Sequence, residues 1–231
     1  MGNRIRNISR LACQRHQTQG GIIMATLPQL AVTVFSDYVC PFCYVGERRL
    51  NRLAARYDLQ VTWRMVEIHP QTPLEGMPLE ALGYPPDVWE RMMVHLTSMA
   101  AMENIALFQR THTYNSHKAL LLAEAAREEG PAVFRAVHEG LFAAYLSHGR
   151  NLAESAVLEE VSRQAGMERS RFEQALIEPR YEERLRENFA VARRAGVTGV
   201  PAFLIGDRLV SGAVPVESLV VVAEEALLTA G

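Results

Sequence analysis

With 231 residues the chain has material for one substantial domain, or for one domain carrying an insertion. Apolar residues make up 48% and charged residues 22%, which excludes a disordered or fibrous chain. A net charge of -2 gives no electrostatic case for nucleic acid or an acidic membrane surface, and no apolar run approaches the roughly 18 residues of a membrane span.

Residues 1–26 differ from the rest. They carry Arg4, Arg6, Arg10 and Arg15, and the first acidic residue of the chain is Asp37. The apolar stretch Gly21-Ile22-Ile23-Met24-Ala25 is too short for a secretory h-region. A disordered extension is expected, or an upstream start with Met24 as initiator; an Arg-rich transit peptide is the less favoured reading. Cys13 is read as an incidental thiol and Asn7-Ile8-Ser9 as a chance glycosylation match. The other two cysteines share one motif, so no pair is left for a structural disulfide and a reducing, cytoplasmic setting is expected.

A first strand is predicted over residues 29–36, a helix over 43–57, and a second strand over Leu59 to Ile68, which is rich in β-formers. Strand, helix and strand in so short a span predict a parallel βαβ unit. A breaker-rich connection follows, with Pro70, Pro73, Gly76, Pro78, Gly83, Pro85 and Pro86. From Asp87 to Ala195 every periodic segment reads as helix: Asp87 to Met102, a run around Ala119 to Ala126 ending at Gly130-Pro131, Val133 to Leu146, Glu154 to Ala165, Ser170 to Ile177 and Arg180 to Ala195. The β signal returns in Ala202 to Ile205 and Arg208 to Ser211 around Gly206-Asp207, which predicts an antiparallel hairpin, and Val216 to Leu228 closes the chain as a helix. The predicted class is α/β, a thioredoxin-like fold (βαβ…ββα) with a large all-helical insertion. Its expected divisions are an extension over 1–26, a thioredoxin-like domain from 27–75 and 191–231, and a helical insertion domain over 76–190.

The chemistry concentrates at Cys40-Pro41-Phe42-Cys43, between the first strand and the first helix. A cysteine there faces unpaired backbone N–H groups and the positive end of the helix macrodipole, a setting that suits a reactive thiolate. Pro41 fits a first turn because it has no N–H to lose. Cys43, three residues on, lies on the same side and within disulfide reach. Zinc would need four ligands, and no second C-x-x-C or paired histidine spacing completes a set, so no metal is expected.

Asp37 to Gly46, Trp63-Arg64 with Pro70, Asn115-Ser116, Gly196 to Phe203 and Val210 to Ala213 together resemble DsbA-type thioredoxin-fold oxidoreductases, most closely the FrnE-like branch. The resemblance covers residues 29–228. It implies thiol–disulfide exchange with Cys40 as nucleophile and Cys43 as resolving thiol. It also implies active-site support from Pro41 and Phe42, a cis-proline at Pro201, and a backbone at Val200 that pairs with an extended substrate. Implied partners are cysteine-containing proteins or peptides and glutathione as a redox partner, with no bound cofactor and a monomer or homodimer as the assembly. Pro41-Phe42 lacks a histidine in second place, so a strongly oxidising character does not follow. Kappa-class glutathione transferases and 2-hydroxychromene-2-carboxylate isomerases share the helical insert but use a serine near the position of Cys40. A redox-inactive peptide-binding chaperone is the third alternative.

Other residues are given ordinary readings. His112 and His117 are read as surface histidines, Glu67 as a strand-end carboxylate near solvent, Met92, Met93, Met99 and Met102 as core of the insertion, and Asn115-Ser116 as a helix cap.

Overall fold

The computed structural model describes residues 26–229; the readings made for residues 1–25, Cys13 among them, lie outside that range. Strand β1 (Gln29–Ser36) alternates so that Leu30, Val32 and Val34 are buried. Strand β2 (Asp58–Met65) runs parallel to it, from Gln29 opposite Asp58 to Ser36 opposite Met65. Two short strands, β3 (Met77–Pro78) and β4 (His112–Thr113), pair with each other apart from the main sheet. Strands β5 (Ala202–Ile205) and β6 (Arg208–Ser211) form the expected antiparallel hairpin, with Gly206 at a φ of 61° in its turn. Strand β5 lies antiparallel to β1, giving the order β2-β1-β5-β6.

Helix α1 (Pro41–Asn51) makes the crossover between β1 and β2. It begins two residues before the predicted start and gives way to a 3-10 turn over Arg52–Ala55, so the predicted helix to residue 57 is divided. Strand β2 ends at Met65 rather than Ile68. The Val66 N–H still reaches the Ser36 carbonyl, but the Ile68 N–H is taken by the Asp37 side chain, which turns the chain out of the sheet. The β3–β4 pair has no counterpart in the prediction, because two residues are too few to show an alternation.

Helices α2 (Pro86–Met102), α3 (His117–Ala126), α4 (Pro131–Phe142), α5 (Ser155–Gln164), α6 (Arg169–Ala175) and α7 (Pro179–Arg194) fill the span between β2 and β5. Helix α4 runs on into a π turn at Ala143–Ser147. Every residue of α3 from Ala119 to Ala126 is buried, as expected for a helix surrounded by others. Helix α8 (Val216–Thr229) places Leu219 and Ala223 against Val32, Val34, Phe203 and Ile205 on one face of the sheet.

Two features set the position of the motif. The largest apolar cluster is continuous from Tyr38, Cys40, Cys43 and Tyr44 into α3, α4 and α5, through Leu120, Leu141, Phe142 and Leu158. The first turn of α1 is therefore part of the same packed interior as the helical segment. On the other side of α1, Arg49 is buried. Its Nε pairs with Glu103 at 3.0 Å, just past the end of α2, and it donates to the Ala213 carbonyl at 2.7 Å. A buried, hydrogen-bonded pair of this kind fixes the helix from which it projects.

Candidate active site

Cys40 is the N-cap of α1, with extended backbone (φ −90°, ψ 110°), and Pro41 occupies the first turn. The Cys43 N–H reaches back to the Cys40 carbonyl at 3.1 Å, so the two cysteines share one turn. Both thiols are free and buried, Cys40 at 6% exposure and Cys43 at 2%. They differ in outlook. Cys40, Pro41 and Phe42 line a cleft of about 470 Å³, whereas Cys43 stands behind them. Burial, reinforced by the neighbouring Cys40, pushes the Cys43 thiol well above its ordinary range and keeps it protonated.

The segment leading into β5 contributes the opposite wall through Val200 and Pro201. The Val200–Pro201 peptide bond is cis, and the Cys40 thiol donates to the Val200 carbonyl at 3.5 Å. Gly46 lets α1 approach this loop: a Cβ there would stand 3.0 Å from Phe203 Cζ and 3.1 Å from Pro201 Cγ. All six residues named from the sequence are thus local to one place. Cys40, Pro41, Phe42 and Val200 line the cleft, while Cys43 and Pro201 lie immediately behind it.

Three groups depart from the sequence expectations or were absent from them. Asp37 is fully buried at the end of β1, where its carboxylate accepts the Ile68 N–H at 2.9 Å and the Val39 N–H at 3.3 Å. Burial pushes it up to about 6, against the pull of Ile68, the Ser116 hydroxyl and Val39. The signal for it was present: the first acidic residue of the chain falls between an apolar strand and the motif. The second group is His138. Its Nδ1 is 2.7 Å from the Tyr38 hydroxyl, and its Nε2 faces Glu47 Oε2 at 3.3 Å without a hydrogen-bonding geometry. Trp63, Phe134 and Phe142 surround its ring. Phe134, His138 and Phe142 fall at helical spacing, so a histidine interrupting an apolar stripe was the available clue.

His117 is the third, and it corrects the surface reading. Its Nδ1 meets Glu67 at 2.9 Å and its Nε2 meets Glu182 at 2.8 Å, bridging the start of α3 to the chain after β2 and to α7. The Glu67 bond, with that of Glu182, raises His117 to about 9 against the opposing effect of burial. Glu67 accordingly holds a partner instead of standing free at a strand end. Asn115 supports the start of α3, since its side-chain carbonyl accepts the His117 N–H at 3.0 Å, while Ser116 makes no side-chain capping bond. Of the four methionines assigned to the core, Met99 is buried, Met92 and Met93 line the cleft, and Met102 is 61% exposed.

The His117 bridge has a signed pH consequence. A histidine raised in the folded state contributes stability that is complete below its unfolded value near 6.5 and is lost as pH rises through about 9. The difference in melting temperature between wild type and His117→Gln is therefore expected to be largest near pH 6 and to close above pH 9. A difference that stays constant across that range would refute the bridge as a charged one.

A β-α-β unit and a β-hairpin sharing one mixed sheet, with paired cysteines at the first helix and a cis-proline loop beside them, define a thioredoxin-fold protein built around a dithiol. The family model of the DSBA-like thioredoxin domain matches residues 31–222, and the chain belongs to that family. It is similar to a Streptomyces coelicolor protein described as a probable DsbA oxidoreductase, at 25% identity and a TM-score of 0.77 over 86% of this chain and 90% of that one. It also shares its fold with a 2-hydroxychromene-2-carboxylate isomerase (24% identity, TM-score 0.67, 85% and 94% covered). The cytosolic disulfide reductase DsbM of Pseudomonas aeruginosa, solved with GSH, is a further fold relative (20% identity, TM-score 0.59, 78% and 88% covered). Among the described residues no helix is long and apolar enough to cross a membrane, and no group of three metal-binding side chains occurs.

Proposed function

We propose that the protein is a thiol–disulfide oxidoreductase of the FrnE-like branch, acting in the cytoplasm on cysteine-containing proteins, peptides or small thiols such as glutathione. The observation that carries this reading is the inequality of the two sulfurs: Cys40 opens on the cleft, and Cys43 is held protonated behind it. Cys40 as thiolate attacks one sulfur of a substrate disulfide, forming a mixed disulfide and releasing a thiolate. Cys43 then loses its proton and attacks Sγ of Cys40, which releases the second thiol and leaves a Cys40–Cys43 disulfide. Two electrons pass to the substrate, and the reverse sequence oxidises a substrate dithiol. Val200 and Pro201 present backbone beside the sulfur for an extended substrate, Pro41 and Phe42 shape its approach, and residues 76–190 form the insertion that frames the cleft. The chemistry needs no metal or organic cofactor.

The likeness to the isomerase keeps a glutathione-dependent transferase or isomerase as the second reading. Titration of the protein in glutathione redox buffers, followed by acid quench and intact mass, separates the two. Reversible loss of the mass of two hydrogen atoms, assigned by peptide mapping to Cys40–Cys43, is the expected result. Non-covalent glutathione binding without that disulfide would overturn the proposal in favour of the second reading.

A further inference from the structure

The cleft beside Cys40 carries charge that no other part of the protein uses. Its size suits a small molecule more than a folded protein segment. Arg110, Arg193 and Glu67 line it, and Glu67 already faces His117. Arg110 and Arg193 form no ion pair among the described residues, whereas Arg171, Arg180 and Arg184 on α6 and α7 each hold a carboxylate. The Arg110 guanidinium lies over the Tyr145 ring, 4.9 Å from its centre, and its Nε is buried without a hydrogen-bond partner. A cation–π contact of this kind holds the guanidinium against the ring and leaves its N–H donors available to an anionic acceptor. Arg193 stands one helical turn beyond Phe189 on α7, and Phe189 is 51% exposed at the same cleft. One cation over an aromatic ring, with a second cation and an exposed aromatic ring in the same cleft, matches an occupant with an apolar stem and an anionic end.

We propose that this cleft selects small disulfides and thiols that carry a carboxylate, with Arg110 and Arg193 holding the carboxylate while Cys40 reacts with the sulfur. The inference rests on the exchange chemistry proposed above and names its substrate class. When the reduced protein is oxidised, the Cys40 thiolate displaces one carboxylate-bearing thiolate from the disulfide, Cys43 displaces the second, and the released thiols take up the protons the cysteines lost. The arginines take no part in bond making. They act by differential binding, since a neutral or cationic substrate of the same length forfeits a charge-assisted hydrogen bond and leaves the guanidinium edge unpaired.

The test uses three disulfides of similar length and different charge: 3,3′-dithiodipropionate, bis(2-hydroxyethyl) disulfide and cystamine. The rate at which each converts the reduced full-length protein to its internal disulfide is read by acid quench and mass spectrometry, and divided by the rate of the same disulfide with a free thiol. The dianion is expected to lead the neutral compound by roughly tenfold, the neutral compound to lead the dication, and Arg110→Gln to bring the first ratio close to unity. Arg193→Glu, at an exposed position that folding tolerates, is expected to shift the preference toward cystamine; melting curves verify that both variants are folded. Equal corrected rates for the three disulfides in the wild type would overturn charge selection while leaving exchange intact. Unchanged ratios in both folded variants would overturn the assignment to these arginines. Failure of all three disulfides to form the Cys40–Cys43 bond would overturn the exchange reading itself.

Discussion

Cys40→Ser is expected to lower the reduction of insulin disulfides to the rate seen without protein, whereas Cys43→Ser is expected to react once and stop. The two outcomes follow from where the sulfurs stand. Cys40 is at the N-cap of α1 and on the cleft wall, so it is the sulfur a substrate can reach in line. Cys43 lies behind it at 2% exposure, with burial holding its proton, so it acts only on a sulfur already bonded to Cys40. Without Cys43 the mixed disulfide has no internal thiol to resolve it, and intact mass should show the protein plus one substrate half. Without Cys40 no covalent complex should form at all. Full activity in Cys40→Ser would sink the assignment of both residues.

The second large effect concerns stability. His138→Leu is expected to cost about 3–5 kcal/mol in urea unfolding, because it removes one member of a buried polar group and strands the others. The Tyr38 hydroxyl would lose its partner at 2.7 Å, and Glu47 would lose the imidazole that faces it at 3.3 Å. Tyr38→Phe is the smaller perturbation, about 1–3 kcal/mol, since the ring keeps its packing on Phe142 and only the imidazole nitrogen is left unpaired. A loss below about 1 kcal/mol for His138→Leu would show that water or a shifted side chain takes over the hydrogen bond to Tyr38. Because Tyr38 precedes Cys40 by two residues, the comparison also reports how firmly the helical segment holds the reactive turn.

These two cases mark what could be read from the chain by itself. The β1–α1 junction, the hairpin around Gly206 and the helices between β2 and β5 depend on local alternation, spacing and breakers, and those signals lie within a few residues. Cys40 and Cys43 were legible for the same reason. The partnership of Cys40 with Val200, 160 residues apart, came from a resemblance and not from any pattern that spacing provides. Tyr38 with His138, Arg49 with Glu103 and His117 with Glu182 join residues 100, 54 and 65 positions apart, and nothing local distinguishes those side chains from solvated ones. The end of β2 was misplaced for a related reason: Val66, Glu67 and Ile68 continue the β-forming composition, but the Asp37 carboxylate captures the Ile68 amide.

The fixing of Arg49 has a mechanical consequence for α2. The buried residues of that helix, Leu96, Met99 and Ala100, fall in its C-terminal half, and Glu103 follows immediately in the pair with Arg49. Trp89, Met92 and Met93 on its N-terminal half face the cleft instead, after the exposed Pro85–Pro86 entry. The helix is about 25 Å long and is tied to the α1 that follows Cys40 both by the Arg49–Glu103 pair and by Leu96 and Met99 against Val45. Phe42, between the two cysteines, packs in the same cluster as Met93, Leu96 and Met99, so the position of this cleft wall and that of the reactive turn are set together.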